Sequence, residues 1–138
     1  YLYIFRSGIS VIHSAKNFHG FKDQSHKELC ERWAKNMETV PGLKKVKNVY
    51  VTRYEDLDEE PHKEFAKAFK ALGIEPDDGP ADMFANEHIF SSYSNTDAKQ
   101  RPSIEERWNQ WSKDEQKTFI EICGPMMKKL KYTIPKSK

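Results

Sequence analysis

The first apolar run of the chain predicts a buried strand that leads into a helix. Tyr-Leu-Tyr-Ile-Phe fills positions 1–5, and Arg6 follows it directly. After Arg6, Ser7, Ser10 and Ser14 recur at offsets of three and four, which places their hydroxyls on one face of a predicted helix. α/β folds hold phosphate at such junctions, where an arginine can donate two hydrogen bonds. The junction is therefore a candidate phosphate site.

A second helix is predicted from Ser25 to about Val40, ended by Pro41-Gly42. Its apolar residues recur every four positions and form one buried stripe, which consists of Leu29, Trp33 and Met37. The three tryptophans of the chain lie beside helical periodicity, so we interpret them as core residues rather than stacking platforms.

A second strand is predicted over 46–54, which is rich in β-branched and aromatic residues. Because parallel strand ends meet at one edge of a sheet, we expect Tyr54 to lie at the same edge as Arg6. Arg53 is expected to pair with a neighbouring carboxylate. Glu55 and Asp56 are expected to point to opposite faces of an extended strand and to be structural.

The third helix is predicted to start near Asp58 or Pro61, because proline and acidic residues favour the first turn. Its predicted apolar face is formed by Phe65, Ala68, Phe69 and Leu72, and Gly73 is the expected left-handed cap. From 75 to 100 the periodicity fades, which predicts a long irregular stretch.

The last helix begins with a capping box, Ser112 to Glu115, and its apolar periodicity continues to Leu130. Gly124-Pro125 interrupts this pattern. An internal proline removes one backbone hydrogen bond and clashes with the preceding turn, so a kink or two segments are expected.

Composition changes this picture little. The 138 residues carry a net charge of +2 and 32% charged side chains, which argues against a dedicated nucleic-acid binder. The densest basic run, Lys44, Lys45 and Lys47, is interpreted as a solvated loop. No apolar run approaches the ~20 residues of a membrane helix, and no signal peptide is visible.

Cysteine and histidine spacings do not indicate a metal site. Cys30 and Cys123 are far apart in sequence, and two readings stay open: two buried thiols, or one bridge in a secretory-pathway enzyme. The five histidines show no ligand spacing, and none is assigned a catalytic role.

Three blocks in this order resemble the second half of sulfotransferases that use 3′-phosphoadenosine 5′-phosphosulfate. They are the Arg6 junction, Arg53-Tyr54-Glu55-Asp56-Leu57, and a tryptophan-rich block ending in Leu130-Lys131-Tyr132. The resemblance implies that Arg6 and Ser14 hold the 3′-phosphate and that Tyr54 lies near the adenine. The chain departs from the family pattern at Ser7, Gly8 and Ser10, which stand where Asn or Asp, Pro and Asp are usual; Ser7 is the expected helix cap.

The resemblance implies an α/β fold with a P-loop-type parallel sheet flanked by helices. It identifies residues 1–138 as the C-terminal portion of a single sulfotransferase domain. The six glycines are dispersed and no Gly-Lys-Ser/Thr occurs, so the phosphosulfate loop and the catalytic base are expected outside this chain. We therefore expect a fragment that binds the nucleotide half of the donor, and its catalytic residues are not assigned.

Arg101, seven residues before Trp108, is a candidate third ligand of the donor by the same resemblance. Features shared with Golgi carbohydrate sulfotransferases favour a carbohydrate acceptor; they are Ser91-Ser92, Arg107-Trp108, Cys123 and Leu130-Lys131-Tyr132. The expected function is sulfuryl transfer to a hydroxyl acceptor. The alternative is a non-catalytic module that binds a nucleotide or polyanion. These residues do not determine the compartment, which is either the cytoplasm or the Golgi lumen, and they do not determine the oligomeric state.

Overall fold

The computed structural model describes residues 1–86 and 102–136, which fold as two compact units. The first unit comprises residues 1–6 and the described part of 40–101, and the second comprises 7–39 and 102 onward. The elements of the first unit are β1 (Leu2–Phe5), α3 (Val40–Leu43), β2 (Tyr50–Arg53), α4 (Tyr54–Glu59), α5 (Pro61–Leu72) and α6 (Gly79–Asn86). Those of the second are α1 (Gly8–Lys16), a short 3₁₀ turn (His19–Phe21), α2 (His26–Met37), α7 (Ile104–Asn109) and α8 (Lys113–Lys129).

In the first unit, β1 and β2 pair in parallel, in a register that runs from Leu2 opposite Tyr50 to Phe5 opposite Arg53. The predicted parallel pairing is thereby confirmed. The second strand is shorter than predicted at both ends, because residues 46–49 are not extended, Asn48 adopts a positive φ of 62°, and Tyr54 begins α4. A left-handed residue turns the chain and cannot continue a strand.

Helices α4 and α5 pack beside β2, and α6 packs on α5. The expectation of a strand at Glu55 and Asp56 is wrong, because both lie in the first turn of α4. Arg53 does pair with a neighbouring carboxylate, as predicted: its Nε donates to Asp56 Oδ2 at 2.8 Å. Gly73 ends α5 with a φ of 64°, the left-handed cap that the sequence indicated.

The stretch from 75 onward is not irregular throughout, because α6 forms within it. Its start is stabilised locally: the backbone N–H of Gly79 donates to Asp77 Oδ1 at 2.9 Å, and Pro80 suits a first helical turn. Ala81 is buried. The remainder of the expected irregular stretch, 87–100, lies outside the described residues.

A buried glutamate fastens α5 to β2. Glu64 Oε2 accepts hydrogen bonds from Thr52 Oγ1 at 2.8 Å and from Tyr50 Oη at 3.1 Å, and Lys67 donates to Oε1. Burial and the nearby Glu64 charge raise the pKa of Tyr50 to about 12. Burial raises the pKa of Glu64 as well, but the hydrogen bonds from Lys67, Thr52 and Tyr50 outweigh it, so its net pKa is lowered.

We expect Glu64→Ala to lower the free energy of unfolding by about 1–3 kcal/mol, because the hydroxyls of Tyr50 and Thr52 lose their buried acceptor. The folded pKa of Glu64 lies below its unfolded value. Its charge therefore stabilises the fold above the unfolded pKa, and this contribution is lost as pH falls through the folded pKa. Urea titrations across the acid range should show a flatter acid limb for Glu64→Gln. Glu59→Gln, at an exposed position of α4, is the control and should leave that limb unchanged.

The second unit is helical. Helix α2 packs against α8, and α1 contacts α2 and α7. The predicted stripe of Leu29, Trp33 and Met37 is buried, and Trp108 and Trp111 are core residues as expected. Further large apolar side chains buried among the described residues of this unit are Ile9, Ile12, Phe119, Met127 and Leu130.

Two helix boundaries of this unit differ from the predictions. Helix α2 ends at Met37 rather than near Val40, and Pro41-Gly42 lies within the short α3 instead of ending α2. Helix α8 runs from Lys113 to Lys129 without division, although Pro125 lies inside it. Both of its halves bury core residues, Phe119 before the proline and Met127 after it, so packing outweighs the local penalty of the proline.

Cys30 and Cys123 are buried free thiols. They are neighbours across α2 and α8, since Cys123 Sγ donates to the Cys30 carbonyl oxygen at 3.5 Å. The pKa of the Cys123 thiol is raised, mainly by its hydrogen bond with Cys30 and to a lesser extent by burial. Sequence separation gave no sign of this proximity.

Because both thiols are fully buried, we expect an aromatic disulfide reagent to label them slowly in the folded protein and rapidly in urea. Mass measurement of native material without reductant should find the reduced form if the protein is cytosolic. A mass lower by two hydrogens would instead identify a bridged protein from an oxidising compartment.

Candidate functional site

The carboxyl ends of β1 and β2 bring Arg6 and Tyr54 together in the first unit. Phe5 and Arg53 are register partners, so the residues that follow them lie at the same edge of the sheet. Arg6 Cζ stands 4.4 Å from the centroid of the Tyr54 ring, and both side chains are half-buried. The predicted placement of this pair is confirmed.

Two further aromatic residues support Tyr54. Phe84 of α6 lies 5.9 Å from the Tyr54 ring at an interplanar angle of 60°. Phe65 of α5 contacts Phe84 in turn, with ring centroids 6.2 Å apart. Phe84 lies in the stretch that the sequence predicted to be irregular. Its contact with Tyr54 depends on α6, which periodicity did not predict.

The three serines of the predicted helix face differ in environment within the second unit. Ser7 is the N-cap of α1, as expected: its Oγ accepts from the Ser10 backbone N–H at 3.3 Å and contacts Ser10 Oγ at 3.1 Å. Ser10 Oγ also accepts from Arg107 Nη1 at 2.9 Å. Ser7 and Ser10 are buried, whereas Ser14 is exposed. The hydroxyls of Ser7 and Ser10 therefore take part in a buried hydrogen-bond network of the second unit.

Arg107 was marked in the sequence by its place before Trp108, but its contact with Ser10 was not foreseen. The two residues are separated by 97 positions, and only the packing of α7 on α1 brings them together. Burial, then the positive charges of Arg107 and Lys16, lower the pKa of His13. The lowered pKa favours the neutral form of the His13 side chain.

Further polar contacts in the second unit join its helices to one another. Glu115 closes the capping box of α8 and pairs with Lys16 of α1. His26 Nε2 lies 3.1 Å from the Glu115 carbonyl oxygen, and its ring edge meets Trp111. Lys44, Lys45 and Lys47 of the first unit are exposed, in keeping with a solvated loop.

Within residues 1–86 and 102–136, no cluster of three or more His, Cys, Asp or Glu side chains could hold a metal ion. In the same residues, no helix has the length and apolar character needed to cross a bilayer. Arg101, the candidate third donor ligand, lies outside the described residues, as do Ser91 and Ser92.

Two paired parallel strands, followed by Arg6 and Tyr54 respectively, together with the flanking helices define an α/β protein. A family model described as the sulfotransferase domain matches residues 2–131. The chain therefore belongs to the sulfotransferase family, whose general reaction is sulfuryl transfer. Membership implies a P-loop-like α/β fold, and the described residues show a helix-rich part with a two-stranded parallel sheet. No curated protein and no solved structure gives a significant match.

Proposed function

We propose that this chain binds the nucleotide half of 3′-phosphoadenosine 5′-phosphosulfate in a sulfotransferase that acts on a carbohydrate hydroxyl. The observation that carries the proposal is the Arg6–Tyr54 pair at the shared end of two parallel strands. A guanidinium that can donate two hydrogen bonds, next to an aromatic ring, suits an adenine nucleotide that carries an additional phosphate. Membership in the sulfotransferase family supports the same donor class.

In this proposal Arg6 and Ser14 hold the 3′-phosphate, Tyr54 lies near the adenine, and Arg101 adds a further phosphate contact. Arg6 follows β1 and is half-buried, and Ser14 is an exposed residue of α1. A guanidinium donates charge-assisted hydrogen bonds that are stronger than those of a neutral hydroxyl. Arg6 therefore contributes the larger share of phosphate binding.

The transfer step breaks the sulfur–oxygen bond to the nucleotide 5′-phosphate and forms one to the acceptor oxygen. The acceptor hydroxyl proton passes to a base, and adenosine 3′,5′-bisphosphate leaves. The sequence contains no Gly-Lys-Ser/Thr for the 5′-phosphosulfate. We assign to residues 1–138 the nucleotide-binding, C-terminal portion of a single domain, and the base is not among the residues assigned.

A carbohydrate acceptor is favoured by the block around α8. Arg107-Trp108 precedes this helix, which contains Cys123, and Leu130-Lys131-Tyr132 follows it. This arrangement resembles carbohydrate sulfotransferases except at Lys131, where they have glycine.

The missing Gly-Lys-Ser/Thr favours the second candidate, a nucleotide- or polyanion-binding module without catalysis.

Calorimetric titration of the full-length protein tests the donor site. Adenosine 3′,5′-bisphosphate should bind at least about tenfold more tightly than adenosine 5′-phosphate, because only the former carries the phosphate that Arg6 would hold. Equal affinities would contradict the proposal. Transfer of labelled sulfate to a panel of oligosaccharides and phenols then separates the enzyme from the binding module. Product on the phenols alone would contradict the carbohydrate assignment.

A further inference from the structure

The Arg6 side chain covers one face of the Tyr54 ring. Its Cζ lies 4.4 Å from the ring centroid, well inside the distance of about 6 Å at which a cation is attracted to an aromatic face. A base cannot stack on this covered face unless the guanidinium leaves it. The contact thus bears on which part of a nucleotide Tyr54 serves.

The Tyr54 ring is itself held in place by its neighbours. Phe84 contacts it from α6 at 5.9 Å, and Phe65 of α5 lies against Phe84 with ring planes at 65°. Helices α5 and α6 pack on each other in the first unit. The aromatic chain from Phe65 through Phe84 to Tyr54 fixes the surface on which Arg6 rests.

We propose that Tyr54 is a positioning residue that orients the Arg6 guanidinium for the 3′-phosphate, and so sets selectivity for 3′-phosphorylated nucleotides. This inference rests on the proposed function, since it assumes that Arg6 binds that phosphate. An unrestrained arginine loses rotamer entropy when it is ordered on a ligand. A guanidinium already stacked on a fixed ring loses less of it on binding.

The ring face, rather than the phenol hydroxyl, carries this role. Tyr54→Phe should therefore keep the affinities for adenosine 3′,5′-bisphosphate and adenosine 5′-phosphate within about twofold of wild type. Tyr54→Leu removes the aromatic face. We expect it to weaken binding of the bisphosphate by about 5- to 30-fold and to leave adenosine 5′-phosphate nearly unchanged.

The same titrations would also reveal a different role for Tyr54. Equal losses for both nucleotides in Tyr54→Leu would make the ring a base platform and overturn the inference. Unchanged affinities for both would overturn it too. In Arg6→Ala the ring has no guanidinium to orient, so adding Tyr54→Leu should cost no further bisphosphate affinity; an additive loss would contradict the coupling.

Wild-type protein separates this inference from the proposed function. If wild type does not prefer the bisphosphate, the proposed 3′-phosphate site is wrong. If wild type prefers it and Tyr54→Leu keeps the full preference, only the positioning role is wrong. Should Tyr54→Leu fail to fold, Tyr54→Met gives the same comparison, because its flexible side chain fills space without an aromatic face.

Discussion

Replacing Arg6 by alanine should weaken binding of adenosine 3′,5′-bisphosphate by about 2–4 kcal/mol, because a charge-assisted, bidentate contact is lost and the phosphate is left partly unpaired. Ser14→Ala should cost about 1 kcal/mol, since it removes one neutral hydroxyl. Both losses should be specific to the 3′-phosphate. Isothermal titration of the bisphosphate and of adenosine 5′-phosphate against each variant measures them directly.

Arg32→Ala is a matched control for the loss of an arginine that rests on an aromatic ring. Arg32 stands over the Phe21 ring at 5.2 Å, but it is exposed on α2 and does not follow a strand. Its replacement should leave both affinities unchanged. Equal losses for the two nucleotides in Arg6→Ala, or no loss for either, would mean that Arg6 is an ordinary strand-end residue.

The second large effect concerns stability. Phe119→Ala should lower the free energy of unfolding by about 3–5 kcal/mol, the usual cost of emptying an aromatic core position. Phe119 is fully buried, with Trp108 and Trp111 at centroid distances of 5.7 and 5.3 Å. A Cβ on Gly8 would lie 3.0 Å from Phe119, so α1 approaches the ring closely. The cavity would open where helices of the second unit meet.

Ile120, the next residue of α8, provides the control because it is 45% exposed. Ile120→Ala loses little buried surface and gains helix propensity, so the net change should stay within about 0.5 kcal/mol. Urea unfolding followed by tryptophan fluorescence compares the two variants. Similar losses at 119 and 120 would contradict the assignment of Phe119 to the core.

Local signals in the sequence predicted much of the framework. The capping box from Ser112 to Glu115 and the left-handed cap at Gly73 lie where they were expected, because each depends on residues a few positions apart. The spacing of Leu29, Trp33 and Met37 indicated a buried stripe for the same reason. The placement of Arg6 and Tyr54 at one edge of the sheet followed from a general property of parallel strands.

The wrong predictions concern places where the local preference of the sequence competes with tertiary packing. Of the two outcomes expected at Pro125, division into two segments is wrong: α8 is one helix that buries core residues on both sides of the proline. Helix α6 forms where Pro and Gly indicated a loop. Glu64 was not assigned to the buried face of α5, since a carboxylate is rarely buried without partners. Its hydrogen-bond partners, Tyr50 and Thr52, belong to β2 and come within reach of the carboxylate only when the chain folds.

The sequence by itself determined the two strands and the four helices α1, α2, α5 and α8, the caps that bound several of them, and the family resemblance of the strand-end arginine. Only the tertiary structure decided that Arg6 rests on Tyr54, that Ser10 binds Arg107, and that Cys123 meets Cys30. Each of these contacts joins residues 48 to 97 positions apart, and side-chain periodicity carries no information at that separation. Such pairs form because buried apolar faces pack together and bring their polar neighbours within hydrogen-bonding distance.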